Sequence, residues 1–171
     1  MTIVILARHG ETDWNSQGRW QGWADPPLNE RGRQQAAALA ERLRETPFDA
    51  VYTSDLRRAH ETAEIVARPH GVPVVADPGL REIDVGSWSG LTRAEIDERF
   101  GGERPDGETR EQHRARVRAA AERLVRAHGD ERILLVSHGG TMRALADAFD
   151  GPIANCGTIE LRWADGRLAA V

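Results

Sequence analysis

Four short stretches carry side chains able to act together on a phosphate ester: Arg8, His9, Gly10, Glu11 and Thr12; Ser54, Asp55, Leu56, Arg57 and Arg58; Arg81, Glu82, Ile83 and Asp84; Ser137, His138, Gly139 and Gly140. Arginine presents a planar fork to phosphate oxygens, and glycines such as Gly10 and Gly139 let backbone N–H groups approach an anion. A neutral imidazole can attack phosphorus and split one hard displacement into two easier ones. Neighbouring guanidiniums disfavour imidazolium and keep such a nucleophile unprotonated. Glu82 is the candidate to protonate the leaving oxygen and then to deprotonate water, a task that calls for a raised pKa. A lone His or Arg is more often structural. Convergence of four separate stretches is what would make a site.

Convergence depends on the elements between them. Thr2 to Ala7 is a continuous apolar run suited to a strand buried on both faces, and Asn29 to Arg44 has apolar residues at helical spacing. Asp49 to Thr53 predicts a second strand, after which Ser54 can cap a helix that runs to Pro69. Val72 to Ala76 predicts a third strand. Thr92 with Glu95 and Thr109 with Gln112 are capping-box patterns, for a short helix and for a long one through His128. Glu131 to Val136 predicts a fourth strand, Thr141 to Phe149 a helix, and Thr158 to Trp163 with Arg167 to Ala170 a hairpin turning at Asp165 and Gly166. Alternating strands and helices imply an α/β fold, a mainly parallel sheet covered on both faces. Ligands of such sheets bind beyond the carboxyl ends of the strands, where all four stretches emerge.

The motifs resemble those of the histidine phosphatase superfamily, the phosphoglycerate mutase-like fold. RHGET at 8–12, SDLRRA at 54–59 with Thr62 and Ala63, REIDVG at 81–86 and SHGG at 137–140 stand in the family's order, and the match runs from Thr2 to about Leu145. The resemblance implies a three-layer α/β/α sandwich in which His9 is the phosphorylated nucleophile, Arg8, Arg58 and His138 bind the phosphoryl group, and Glu82 is the proton donor. It also implies that Asn15 and the Gln21 to Gly22 stretch line the substrate entrance, beside Gly139. Arg57 stands where the family commonly has lysine or another polar residue and is expected to be a solvated helix charge.

The expected function is a metal-independent phosphatase for a small phosphomonoester, working through a phosphohistidine. A cofactor-dependent phosphoglycerate mutase-type phosphotransferase is the alternative, and a non-catalytic phosphate-ligand binder of the same fold a second. A mutase must hold a doubly phosphorylated intermediate, which needs extra cations and a closing segment. The stretch from Leu91 to Glu108 offers only Arg93, Arg99 and Arg104, and the PDGET stretch at 105–109 resembles that of small phosphatases in the family. A binder would gain nothing from a carboxylate that repels phosphate.

Composition narrows the field further. The 171 residues, 40% apolar, suit one domain spanning 1–171. All 23 basic residues are arginine, which excludes Walker A loops, Schiff-base lysines and SxxK hydrolases. A net charge of -4 argues against a nucleic-acid partner. The apolar runs are too short to span a membrane, no secretory signal is visible, and the single Cys156 excludes an internal disulfide, so a cytoplasmic protein, monomer or homodimer, is expected. No metal or other cofactor is expected, because no HExxH or clustered histidine spacing is present and the arginines would repel a cation. GSWSG at 86–90 has Trp88 where a nucleophile elbow needs serine. His60, His70, His113 and His128 are expected at the surface, and the arginine-rich helix 110–126 as a solvated face. Trp14, Trp20 and Trp23 are expected to pack their own loop, a wall against substrate being the other reading.

Overall fold

A computed structural model describes residues 1–146, 151–164 and 167–170. The strands are β1 (Ile3–Arg8), β2 (Ala50–Thr53), β3 (Val74–Ala76), β4 (Arg132–Ser137), β5 (Thr158–Ala164) and β6 (Arg167–Ala170). The helices are α1 (Asp13–Ser16), α2 (Glu30–Arg42), α3 (Arg57–Ala67), α4 (Arg93–Phe100), α5 (Arg110–Arg126) and α6 (Gly139–Leu145). The six strands form one sheet in the order β3-β2-β4-β1-β5-β6. The first four of these are mutually parallel, while β5 and β6 add antiparallel neighbours at one side.

Period-two alternation in the two central strands divides the core. Val4 and Leu6 of β1, with Ile133 and Leu135 of β4, pack against Val117, Ala121, Leu124, Met142 and Leu145 of α5 and α6. Ile5 and Ala7, with Leu134 and Val136, pack against Ala36 and Leu39 of α2 and Ala59, Ala63 and Val66 of α3. Burying one such aliphatic side chain contributes roughly 1.5–3 kcal/mol, and β1 and β4 bury theirs on both faces. That two-sided burial produces the three-layer α/β/α arrangement. A satellite cluster of Val85, Trp88 and Ile96 sits under the segment that leads into α4.

Boundaries differ from expectation where hydrogen bonding overrides pattern. Both central strands run one residue further than their apolar runs, through Arg8 and Ser137, because these two residues still face each other in the ladder. Ser54 does not cap α3: its N–H donates to the Val136 carbonyl, so it remains extended, and Leu56 stands at the N-cap without a side-chain cap. The last expected helix begins earlier, at Gly139, and ends at Leu145. Its expected continuation over 147–149 lies outside the described residues, as does the turn at Asp165 and Gly166. The short α1 was not expected. Its capping box is Thr12 with Asn15, an amide doing the work usually read from Glu or Gln.

The chain after β1 crosses α2 at very close range. A methyl group on Gly32 would run into the backbone of Glu11, and one on Gly10 into the backbone of Gly32. Gly32→Ala should therefore lower stability by roughly 1–3 kcal/mol through overpacking, although alanine is the better helix former by about 1 kcal/mol. Urea denaturation measures the outcome, and a variant as stable as the parent would show that this crossing yields.

Candidate active site

Parallel pairing of β1 with β4 places Arg8 opposite Ser137, so the next residues, His9 and His138, leave the sheet side by side. The His9 N–H donates to the Ser137 carbonyl at 2.9 Å, and the two imidazoles meet edge to face with centroids 5.2 Å apart. His9 Nδ1 lies 2.6 Å from the Gly10 carbonyl oxygen. A carbonyl only accepts, so Nδ1 carries the proton and Nε2 keeps its lone pair. Burial holds the His9 ring well below the usual imidazole range, and the charges of Arg58 and Arg8 push the same way. His138, also displaced downward by burial, Arg58, His9 and Arg8, hydrogen-bonds Ser54 Oγ through Nε2 at 2.9 Å.

Two guanidiniums flank the pair. Arg58 is almost completely buried, which pulls its pKa down to about 10 and leaves it a cation at neutral pH. Its Nη1 and Nη2 donate to the carbonyls of Ala24 and Gly22, which ties down the loop after α1. Arg8 Nη1 donates to the Ile153 carbonyl at 2.6 Å. Among the described residues, the buried Nε of Arg8, Nε of Arg58 and Nδ1 of His138 have no hydrogen-bond partner. Unpaired buried polar nitrogens are costly, and three of them around one histidine pair suit an oxyanion. A pocket of about 370 Å³ opens here, lined by Arg8, His9, Arg58 and Glu82, with Asn15, Gln21, Gly22 and Gly139 also in its wall. His138 belongs to the cluster but not to the pocket wall. It is fully buried, its ring packed against that of His9.

Glu82 is held from several directions. Its Oε1 accepts from Ile83 N at 2.9 Å and its Oε2 from Gly140 N at 3.0 Å. A side chain on Gly140 would collide with this carboxylate, so the second glycine of SHGG makes room for Glu82. The Glu82 carbonyl accepts from Trp23 Nε1 and from Arg116 Nη2. Arg81 forms a bidentate pair with Asp55 at 2.7 and 2.5 Å, joining this segment to the end of β2.

Several residues depart from their sequence reading. His113 is not on the surface. It is 5% exposed, with Nε2 3.8 Å from Glu82 Oε1. His128 is also largely covered, between Tyr52 Oη and Glu131, far from the pocket. Arg116 is not a solvated charge: its guanidinium pairs with Glu108 and reaches the carbonyls of Gly79, Arg81 and Glu82. The signal for His113 was present, since it shares helical spacing with buried Val117, Ala120, Ala121 and Leu124. Nothing in the sequence pointed to Asn155, whose Nδ2 donates to the His9 carbonyl at 3.0 Å. Its neighbour Cys156, at φ 56°, is the only non-glycine among the described residues in the left-handed region, at a cost of about 1–3 kcal/mol. Arg57 is exposed, as expected. Of the three tryptophans, Trp20 lines the pocket, Trp14 packs over Gly90 and Trp23 braces Glu82.

Comparison with known proteins bears on this arrangement. The model of the histidine phosphatase superfamily (branch 1) matches residues 4–169. A phosphoglycerate mutase-like protein 4 from Arabidopsis thaliana is 40% identical over 157 residues, covering 83% of this chain and 68% of that protein. A metal-independent phosphoserine phosphatase from the same plant is 41% identical over 161 residues, covering 85% and 67%. The solved structure of Bacillus stearothermophilus YhfR superposes with a TM-score of 0.93 at 32% identity, covering 100% of this chain and 96% of that one.

The electrostatics set a pH dependence. An unfolded chain protonates its histidines near pH 6.5, whereas the folded protein keeps His9 and His138 neutral well below that. Their contribution to stability is complete above about pH 6.5 and is lost as pH falls toward the folded-state values, because only the unfolded state takes up protons in that window. The urea midpoint should drop between pH 7.5 and 5.5, and the His9 and His138 ring resonances should remain those of neutral imidazole at pH 6. A ring that titrates at or above 6.5 would show that burial does not control it.

Proposed function

The chain belongs to branch 1 of the histidine phosphatase superfamily, and from that premise we propose that it hydrolyses a small phosphomonoester without a metal, through a phosphohistidine formed on His9. The observation that carries this reading is the His9 Nδ1 contact with the Gly10 carbonyl, which leaves an unprotonated Nε2 on a residue of the pocket wall, beside the guanidiniums of Arg8 and Arg58.

The chemistry has two displacements. His9 Nε2 donates its lone pair to phosphorus, the bond from phosphorus to the ester oxygen breaks, and protonated Glu82 passes its proton to that oxygen. After the alcohol leaves, water attacks the phosphoryl group, Glu82 takes a proton from the water, and the N–P bond breaks to release phosphate and neutral His9. Arg8 and Arg58 bind the equatorial oxygens on which charge accumulates, and His138, packed against His9, offers its unpaired Nδ1 to the same oxygens. Uncatalysed phosphate monoester hydrolysis is among the slowest known reactions, with enzymatic accelerations approaching ~10²¹, so most of the work is charge stabilisation and positioning. Asn15, Gln21, Gly22 and Gly139 border the space left for the alcohol.

A phosphotransfer reading is favoured by the mutase names of several relatives. Against it, none of Arg93, Arg99 and Arg104 lies in the pocket wall: Arg93 pairs with Asp97, and Arg104 reaches the Glu108 carbonyl. Two further arginines do line the pocket, but Arg19 is paired with Glu95. Among the described residues Arg143 is therefore the added cation there, fewer than a doubly phosphorylated intermediate calls for, and the phosphohistidine should meet water first.

Rapid quench at alkaline pH after brief exposure to labelled substrate should trap acid-labile phosphate on His9, equally in EDTA, while His9→Ala should lose at least about a thousandfold in kcat. Label that persists in His9→Ala, or activity lost on chelation and restored by a metal, would overturn the mechanism. With 3-phosphoglycerate and 2,3-bisphosphoglycerate as primer, phosphorus NMR should show inorganic phosphate accumulating. Isomer interconversion tenfold faster than phosphate release would make the protein a mutase.

A further inference from the structure

The mechanism above uses Glu82 and leaves a buried titratable group beside it without a task. His113, in the first turn of α5, sits behind the Glu82 carboxylate, away from the pocket wall. Its Nε2 is 3.2 Å from Thr141 Oγ1 and 3.8 Å from Glu82 Oε1. The Thr141 hydroxyl donates to the Arg81 carbonyl at 3.0 Å, and that carbonyl can only accept. The Thr141 oxygen must therefore accept from His113, which places the ring proton on Nε2, on the side facing Glu82. We propose that His113 is a positioning residue that tunes Glu82 as proton donor and acceptor, its Nε2–H being fixed by Thr141 and held 3.8 Å from Oε1 on the side away from Arg8 and Arg58 in the pocket wall. The inference rests on the reading of Glu82 as general acid.

The remaining charged surroundings of the ring are few. Among the described residues they are, besides Glu82, Glu108 just before α5, Arg116 one turn further along it, His138 at the end of β4 and the Arg81 backbone, while Arg8 and Arg58 face Glu82 itself from the pocket. Burial holds the His113 ring below the usual imidazole range, while Glu82 opposes that displacement. A neutral ring whose Nε2–H is held by Thr141 and lies 3.8 Å from Oε1 gives the carboxylate weak stabilisation and still allows the acid form. A charged ring would hold Glu82 as carboxylate and deprive the first displacement of its proton. Neutral His113 thus suits a group that must give a proton in one step and take one in the next.

Two measurements test this. In Glu82→Gln the His113 ring, followed by NMR, should titrate at lower pH than in the parent, because the anion favouring imidazolium is gone; this arm needs no turnover. In His113→Leu, loss of the N–H should raise the proton affinity of Glu82, so the alkaline limb of kcat/KM for an alkyl phosphate should move up by about half to one pH unit, a three- to tenfold gain in rate at a fixed pH on that limb. p-Nitrophenyl phosphate, whose leaving group hardly needs a proton, should show a smaller displacement, and His113→Gln, which keeps an N–H for Thr141, should return the limb toward the parent. Melting curves establish that each variant is folded; if His113→Leu is not, His113→Gln and the NMR arm decide. A His113 titration unmoved by Glu82→Gln, a limb unmoved in His113→Leu, or His113→Gln behaving like His113→Leu would reduce His113 to packing. If alkyl phosphates are not hydrolysed by the parent, the functional reading fails, and the NMR arm still decides whether the two side chains are coupled.

Discussion

The parallel register that sets Arg8 against Ser137 is the constraint on which the rest of the site depends. Side chains alternate with a period of two, so a slip of one residue would send His9 and His138 to opposite faces of the sheet. The register is enforced from below, where both strands are buried on both faces, and from above, where His9 N–H donates to the Ser137 carbonyl. The paired imidazoles and the flanking arginines are a product of core packing as much as of site chemistry.

That pairing has an electrostatic consequence. Two arginines and two histidines share a small buried volume, an arrangement that would repel itself if all four were charged. The conflict is resolved by asymmetry: guanidiniums hold their protons even when burial lowers Arg58 to about 10, so the imidazoles give theirs up. Positive charge able to bind an anion and a neutral nitrogen with a free lone pair come from one source, the same desolvation acting on groups of different intrinsic basicity. Glu82, the one carboxylate in the pocket wall among the described residues, faces this field with two backbone N–H groups on its oxygens.

The scaffold around Glu82 comes from elements far apart in sequence. Trp23 arrives from the loop after α1, Arg116 and His113 from α5, Gly140 and Thr141 from α6, and Asp55, through Arg81, from the end of β2. Rigid support of this kind limits reorganisation when charge moves during reaction. It also uses residues whose types suggest surface roles, arginines and a histidine on a helix rich in charge.

Much of this was legible in the residues alone. Apolar runs and helical spacing yielded the layers, since two-sided burial demands continuous apolar strands, and strand ends located His9, His138, Arg58 and Glu82 on one edge. Composition decided which cations were available, because a chain without lysine has only arginine forks and imidazoles to offer. What pattern could not supply was any property set by partners distant in sequence: that Ser54 stays extended and bonds His138 instead of capping α3, that Asn155 holds the His9 carbonyl, that Arg116 spans the Glu82 segment, and that His138 is fully buried against His9. Side-chain type and spacing fix what a residue can do and which face of its own element it takes. Which proton it carries, and what it touches, depend on burial and on groups that only the folded chain brings within a few ångströms.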